Sequence, residues 1–556
     1  MSVCHRIVAV CAGLLSVSLL AGCASEPPAS PEPTSLVSTD DLPEPQPGAV
    51  HLFGFNDLHG HLQPPEGSNG QIAGHAAGGA AYLATHLARL RSAYPDSAVL
   101  LAGDNFGASP LVSSLFHEEP TVTYLNSLRP AASAVGNHEL DDGVIELARM
   151  QQGGCALDGC SPGAPFAGAE FPYLAANMTN SEGRLPPGLR PWTMVEVGGH
   201  KIGVVGVVTP ETAQIVFPEG IRGYRFGDPA EAINRHVPDM IGAGAEVIVG
   251  LVHDGGKQQV PDADYNGCAN ITPNVPELAR RTDPAVRVLF TAHSHQSYVC
   301  EFDGKVVTQA ASYGRLITDV TLHFGDGGVD VQAVNRVVTQ DVAPDPATVE
   351  LIDFFAAEAA PRAERVVGTA AQPLPKSAAP SGESPLGNLI ADAMLTATAG
   401  PAQAVAAVMN PGEVRADIGA GPITFGAIYQ SQPFGNQVVT VSLTGRQIVD
   451  LLEQQWSKPD KPIVLSVAGI SYAYDDAAPA GNKVDKGSVR IGGKPLNEVA
   501  VYRVTTNNFL ASGGDGFSVF TRGTDLTVGP MDLDVLEAYL SGRGPVAPPA
   551  VRVEQR

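Results

Sequence analysis

In the first half of this 556-residue chain, successive apolar runs each end in a short segment carrying aspartate, asparagine or histidine. The runs read LFGF, AVLL, ASAV, VIVGLV and VRVLFTA. The segments are Asp57-Leu58-His59, Gly103-Asp104-Asn105, Gly136-Asn137-His138-Glu139, His253-Asp254 and His293-Ser294-His295. Short apolar runs alternating with helix-like stretches such as GGAAYLATHLARLRSAY and DPAEAINRHVPDMI predict a layered sheet with helices on its faces. In an open α/β sheet the carboxyl ends of the strands face one crevice, and ligands bind there. The sequence therefore predicts that the segments converge. Between them they hold enough carboxylate, imidazole and carboxamide for two metal ions.

A pair of divalent ions about 3.5–4 Å apart, sharing a bridging ligand, is a recurrent device for hydrolysing phosphate esters. Asp57 and His59, alternating along a strand end, are expected to face one way and serve the first ion. Asp104 is the expected bridging carboxylate. Asn137, His253 and His293 are expected to complete the second site, and His295 to return to the first. A single aspartate after a strand is usually a turn or a cap; repetition at five strand ends in one domain is what argues for a shared site. His138, next to Asn137, is expected to point elsewhere and act as general acid or oxyanion donor. Asp141, three residues on, would orient its ring and raise its pKa, and also reads as the cap of the helix VIELARMQ. His61, His75, His86 and His117 fit no such pattern and are expected to be structural or solvent-facing. Mixed His, Asp and Asn ligands suit Mn, Zn, Fe or Co without choosing among them.

The amino terminus reads as a targeting segment. Arg6 precedes the apolar run IVAVCAGLLSVSLLAG, short for a membrane span, which ends in Leu20-Ala21-Gly22-Cys23. This looks like a bacterial lipobox, with residues 1–22 removed and Cys23 carrying the lipid. Residues 23–48, rich in proline, serine and acidic side chains, read as a disordered tether. The chain is thus expected outside the cytoplasm, touching the membrane through its lipid anchor alone. An oxidising compartment suits the four cysteines that remain. Cys155–Cys160 with Cys268–Cys300 is the preferred pairing, although three pairings are open and a zinc site is the weaker alternative. A formal charge of −24 argues against binding a nucleic-acid polymer. It leaves small anions open, because divalent ions reverse the local sign. Oligomeric state is not legible.

Strand-like and helix-like segments alternate over residues 49–342, with TMVEVGGHKIGVVGVVT predicting a hairpin that turns at Gly198-Gly199. DPATVELIDFFAAEAAPRAERV predicts a linker helix over 343–365, interrupted by Pro361. Residues 366–556 change texture to mixed α+β. There RQIVDLLEQQW places Ile448, Leu451, Leu452 and Trp456 on one helical face, and VYRVTTNNFLASGGDGF predicts a strand entering a glycine-rich loop.

In this order, D-x-H, GD, GNHE, a strand-end histidine and a final H-x-H resemble the calcineurin-like metallophosphoesterases. In the second half SPLGNLIADAM from Ser384, NPGEVR from Asn410, QPFGN from Gln432 and NFLASGGDGF from Asn508 resemble the C-terminal domain of bacterial and animal 5′-nucleotidases. The resemblance implies an α/β N-terminal domain, a layered β-sandwich flanked by helices, joined to an α+β nucleotide-binding domain. It implies a dinuclear-metal phosphomonoesterase acting on extracytoplasmic nucleotides between its two domains. Phe434 and Phe509 would clamp the base, each stacked ring contributing about 1–3 kcal/mol. Asp515 would accept ribose hydroxyls, and Asn410 and Arg415 would meet the substrate near its phosphate or ribose. Pro411 and Glu413 stand where a glycine-rich turn is usual, Lys376 where an arginine is common, Ala292 for a glycine and His295 for Gln or Asn. These departures bear on substrate choice, leaving 2′,3′-cyclic nucleotides, UDP-sugars and dinucleotides as alternative substrates. A non-enzymatic binding lipoprotein would require a damaged metal site, and the sequence shows none.

Overall fold

The five apolar runs are strands, and both faces of each are covered, which is why they read as continuous rather than alternating. The computed structural model describes residues 36–39, 42–157, 159–163, 165–258, 264–325, 327–458 and 461–556. The expected signal peptide, Cys23 and most of the expected tether lie outside the described residues.

Twelve strands of the first half matter to the site: β1 (Ala49–Phe55), β2 (Ser97–Leu101), β3 (Ala132–Ala134), β4 (Tyr173–Leu174), β5 (Trp192–Val197), β6 (His200–Val208), β7 (Val247–His253), β8 (Val286–Thr291), β9 (Ser297–Phe302), β10 (Lys305–Ala310), β11 (Leu316–Gly325) and β12 (Gly328–Val337). They form two six-stranded sheets, ordered β12-β11-β1-β2-β3-β4 and β9-β10-β8-β7-β6-β5. β1 to β4 run parallel in the first, and β6, β7, β8 and β10 run parallel in the second. Their inner faces share one apolar layer, in which Val50, Leu52 and Leu100 meet Val204, Val249, Leu251 and Phe290. Phe53 and Phe55 point the other way, into a core shared with helices α1 (Ala80–Ala93), α2 (Glu119–Leu128) and α3 (Gly143–Gln152). α4 (Pro229–Gly242) and α5 (Asn274–Arg281) cover the second sheet. The result is a sandwich with helices outside. The parallel strands deliver their carboxyl ends to one edge of it.

β5 and β6 pair antiparallel through a turn at Gly198 and Gly199, whose φ values of 59° and 81° are those a tight hairpin demands. Helix α6 (Pro346–Ala363) is capped by Asp345, which accepts from the Thr348 N–H. It corrects one expectation: Pro361 does not interrupt it. The proline lies in the last turn, where its missing N–H removes one bond of a helix already held by Ile352, Phe355 and Ala359 in the core. A second correction concerns residues 36–39, assigned to the tether. Val37 accepts from the Val337 N–H and donates to Tyr265 Oη, each at 2.8 Å, and Leu36 and Val37 pack on a small apolar cluster. Two apolar residues amid prolines meet the edge of β12 beside Asn335, whose own backbone groups bond the Asn266 side chain, and the added bond lets Val337 pair as well.

The second half has its own sheet of β13 (Ala406–Met409), β14 (Gln437–Thr444), β15 (Ser466–Ala468), β16 (Val501–Asn507) and β17 (Thr524–Met531), ordered β15-β13-β16-β14-β17. Helices α7 (Pro385–Thr398) and α8 (Gly445–Gln454) pack on it. α8 opens with a capping box of Thr444 and Gln447 and buries Ile448, Leu451 and Leu452, with Trp456 beyond its end. Disulfides join Cys155 to Cys160 and Cys268 to Cys300, with Cα separations of 4.4 and 5.2 Å.

Candidate metal centre and its cavity

The site begins where the strands stop. β1 ends at Phe55, so Asp57 and His59 lie in the loop beyond it rather than alternating along a strand. Their φ values are 50° and 47°; Asp104, His293 and His295 also adopt positive φ, at 51°, 69° and 55°. Side chains other than glycine seldom adopt this left-handed backbone, and it persists only where the surroundings enforce it, as functional sites do. Gly136 is required for closeness: a Cβ there would collide with the Asp104 carboxylate and come within 2.8 Å of the His253 ring.

All seven side chains expected to bind metal come together. Asp57, His59 and His295 offer ligand atoms within 4.8 Å of one another, and so do Asp104, His253 and His293. The His59 Nε2 lies 3.1 Å from His295 Nε2 and 3.8 Å from Asp104 Oδ2. The His253 Nε2 lies 3.0 Å from Asp104 Oδ2 and 3.2 Å from the Asn137 Oδ1. Asp104 thus touches both groups. Asn56, which the sequence reading passed over, donates to Asp57 Oδ2 at 2.5 Å and to the Ala311 carbonyl, fixing the carboxylate.

The protonation pattern fits a pair of cations. His59 Nδ1 faces the Gly107 carbonyl at 2.8 Å and His253 Nδ1 the Ala102 carbonyl at 2.9 Å, so each ring donates outward and turns a lone pair inward. This outward bond to a carbonyl is how metal-binding histidines are oriented. Burial holds His59, His293 and His295 below their usual range, hence neutral and able to coordinate. Burial disfavours an imidazolium at His253 too, but Asp104 outweighs it and pushes the pKa up to about 10. A cation beside Asp104 would stand in for that proton.

Glu139 is a second residue whose role sequence reasoning missed. It is buried, and its carboxylate accepts from the backbone N–H groups of Asp104, Asn105 and Gly136 at 2.6–2.8 Å. One carboxyl therefore ties the loop after β2 to the loop after β3. Burial, then the neighbouring Asp104, raise its pKa to about 7. Glu139→Ala strips three buried N–H groups of their acceptor and is expected to destabilise the fold by about 2–5 kcal/mol; urea unfolding measures it.

His138 belongs to neither of the two groups above, yet it offers a ring nitrogen within 4.8 Å of ligand atoms of His59 and Asp104, and its ring centre lies 4.9 Å from that of His59. Its Nδ1 meets Asp141 Oδ2 at 2.9 Å across a short turn. Burial opposes the charged ring, but Asp141 and then Asp104 overcome it and raise the pKa. The His138 ring also stacks on Phe434 of the second half, with centroids 5.7 Å apart.

That contact spans a cavity of about 630 Å³ between the two halves, a size ordinary for small-molecule sites. Asn137, His138 and His293 line one side; Arg415, Phe434, Phe509 and Asp515 line the other. Arg415 places its guanidinium carbon 6.0 Å from the Phe434 ring centre. Asn410 donates to Asp515 Oδ2 at 2.7 Å, so it acts first on Asp515. Lys376 turns its ammonium to the Arg415 carbonyl at 2.9 Å, and burial with Arg415 nearby lowers it to about 8. Glu211 of the first half bonds Lys458 and Lys461 of the second at 2.7 and 3.2 Å. These partly exposed pairs contribute little stability. Of the four histidines set aside, His61 is buried against Tyr313 with ring centres 4.0 Å apart, while His117 lines the cavity wall.

Comparison with known proteins bears on this geometry. Residues 51–297 match the calcineurin-like phosphoesterase family, and residues 366–522 the 5′-nucleotidase C-terminal domain. The crystal structure of a 5′-nucleotidase precursor from Thermus thermophilus is 30% identical, covers 91% of this chain and 99% of its own, and superposes with a TM-score of 0.78. The endonuclease YhcR of Bacillus subtilis is 32% identical over 88% of this chain, which spans only 39% of that protein. The cell wall protein Lmo0130 of Listeria monocytogenes is 29% identical, over 91% of this chain and 68% of its own length.

Proposed function

Because this chain belongs to the calcineurin-like phosphoesterase family and carries the C-terminal domain of 5′-nucleotidases, we propose that it releases phosphate from nucleotides outside the cytoplasm. The observation that carries this reading is a set of metal-competent groups that share Asp104, reaching one cavity through Asn137 and His293 beside the His138–Asp141 pair, with two aromatic rings on the opposite wall.

Asp57, His59 and His295 would hold one divalent ion; Asn137, His253 and His293 another; Asp104 both. When bound, such ions polarise a phosphate and supply a nucleophilic water. The protein's own groups do the rest. His138, held by Asp141 as a positioning residue, donates a proton to the leaving ester oxygen. Arg415 balances phosphate charge, Asp515 accepts from ribose hydroxyls in an orientation set by Asn410, and Phe434 and Phe509 stack on the base. On this reading residues 49–342 form the catalytic domain, 343–365 the connection and 366–556 the nucleotide-binding domain.

Localisation follows from three lines of support. The segment ending at Cys23 has the form of a lipoprotein signal, two disulfides suit an oxidising compartment, and one relative is a cell wall protein. No helix among the described residues is long and apolar enough to cross a membrane.

Incubation with nucleoside monophosphates, 2′,3′-cyclic nucleotides and UDP-sugars, with manganese or zinc supplied and all products separated by chromatography, tests the reading; monophosphates are expected to turn over fastest. Phe434→Ala is expected to raise KM about tenfold or more with little change in kcat, from the loss of one stacked ring. An unchanged KM would remove Phe434 from the substrate site.

A further inference from the structure

One buried carboxyl on the cavity wall has no part in the chemistry above. Glu413 ends the 3₁₀ turn Pro411–Glu413, between Asn410 and Arg415. It is only 7% exposed, yet it lines the cavity. Asn436 donates its Nδ2–H to Glu413 Oε2 at 2.7 Å, and among the described residues Oε1 has no hydrogen-bond partner and the carboxyl no ion pair. Asn436 follows Phe434 by two residues, so Glu413 is fastened to the loop that carries the aromatic ring. Oε1 is not sealed inside the protein but opens onto the cavity, where a ligand is placed to complete its hydrogen bonding.

We propose that Glu413 is a specificity-determining residue, on the reading of this cavity as a nucleotide site: it presents an O–H donor from Oε1 to a hydrogen-bond acceptor, a keto oxygen or ring nitrogen, on the edge of the base stacked at Phe434. The Asn436 N–H occupies Oε2, so a proton on this carboxyl sits on the oxygen that faces the cavity. Burial, together with the carboxylates of Asp532, Asp515 and Asp141, favours that neutral form strongly over the ion, against the pull of Arg415. A neutral acid here also removes the repulsion that an ionised one would exert on a phosphate nearby. A site that spends a buried donor on one acceptor rejects analogues lacking it far better than an apolar pocket rejects a missing methylene.

The test compares kcat/KM for nucleotides that differ by one acceptor atom: adenosine monophosphate against its 1-deaza and 7-deaza analogues. In the native protein at least one such deletion is expected to lower kcat/KM tenfold or more. Glu413→Ala should reduce that ratio to within about threefold. Glu413→Gln should keep it, because its oxygen would accept from Asn436 and leave an N–H facing the cavity. The Gln variant keeps volume and neutrality, and thermal melting of both variants separates loss of the base contact from loss of the fold. Three results would overturn the proposal: no acceptor deletion matters in the native protein, Glu413→Ala lowers every nucleotide equally, or Glu413→Gln discriminates no better than Ala. Failure of the native protein to hydrolyse any nucleotide would overturn the reading of the cavity along with it.

Discussion

Asp104→Asn is expected to lower kcat/KM by about a thousandfold or more, equivalent to about 4 kcal/mol of transition-state stabilisation, and to reduce bound metal below two ions per chain. Among the described residues Asp104 is the carboxylate within reach of both clusters, 3.0 Å from the His253 nitrogen and 3.8 Å from that of His59. Asparagine keeps its shape and can still accept the 2.8 Å bond from the His138 N–H, so the loops should stay in place. What is lost is the negative charge that burial has isolated. His253 and then His138 hold that charge against burial, keeping the Asp104 pKa well below the usual carboxylate range. Metal content by plasma emission spectroscopy and initial rates on one preparation separate the two effects. A variant that kept both ions and near-native turnover would show that Asp104 does not bridge.

His138→Ala is expected to reduce kcat by about 10²–10⁴-fold, the usual range for a lost general acid, while metal content stays at the native level. Its distinguishing mark is dependence on the leaving group. An ester whose alcohol is already a good leaving group, such as p-nitrophenyl phosphate, needs little protonation and should lose much less than a nucleoside monophosphate. Equal losses on both would assign His138 to substrate placement. Asp141→Asn, which leaves the ring in place with a weaker partner at 2.9 Å, should show the same pattern at smaller amplitude.

The convergence of these side chains was legible because they recur at the ends of apolar runs, and strand topology alone sends those ends to one edge. What sequence could not give is how each side chain is aimed. Asp57 and His59 face the site through left-handed backbone rather than strand alternation. Nothing in D-x-H distinguishes the two routes, because that backbone is enforced by contacts with distant residues, such as the bonds from the Asp57 and His59 N–H groups to the Gly103 and Asp104 carbonyls. Glu139 stood in the GNHE motif from the outset, but its role depends on three N–H groups of which two lie over thirty residues back. Glu211 with Lys458 and Lys461, nearly 250 residues apart, had no local signal at all. Glu413 was visible as a departure from a glycine-rich turn. The burial and the neighbouring carboxylates that raise its pKa arise only once the chain is folded. Pro361 shows the converse: a local rule about proline gave way to the tertiary contacts of α6.

Crystals soaked in manganese or zinc and measured for anomalous scattering address the dinuclear site most directly. Two peaks per chain are expected, one beside Asp57, His59 and His295 and the other beside Asp104, His253 and His293. A single peak, or peaks away from these side chains, would contradict it.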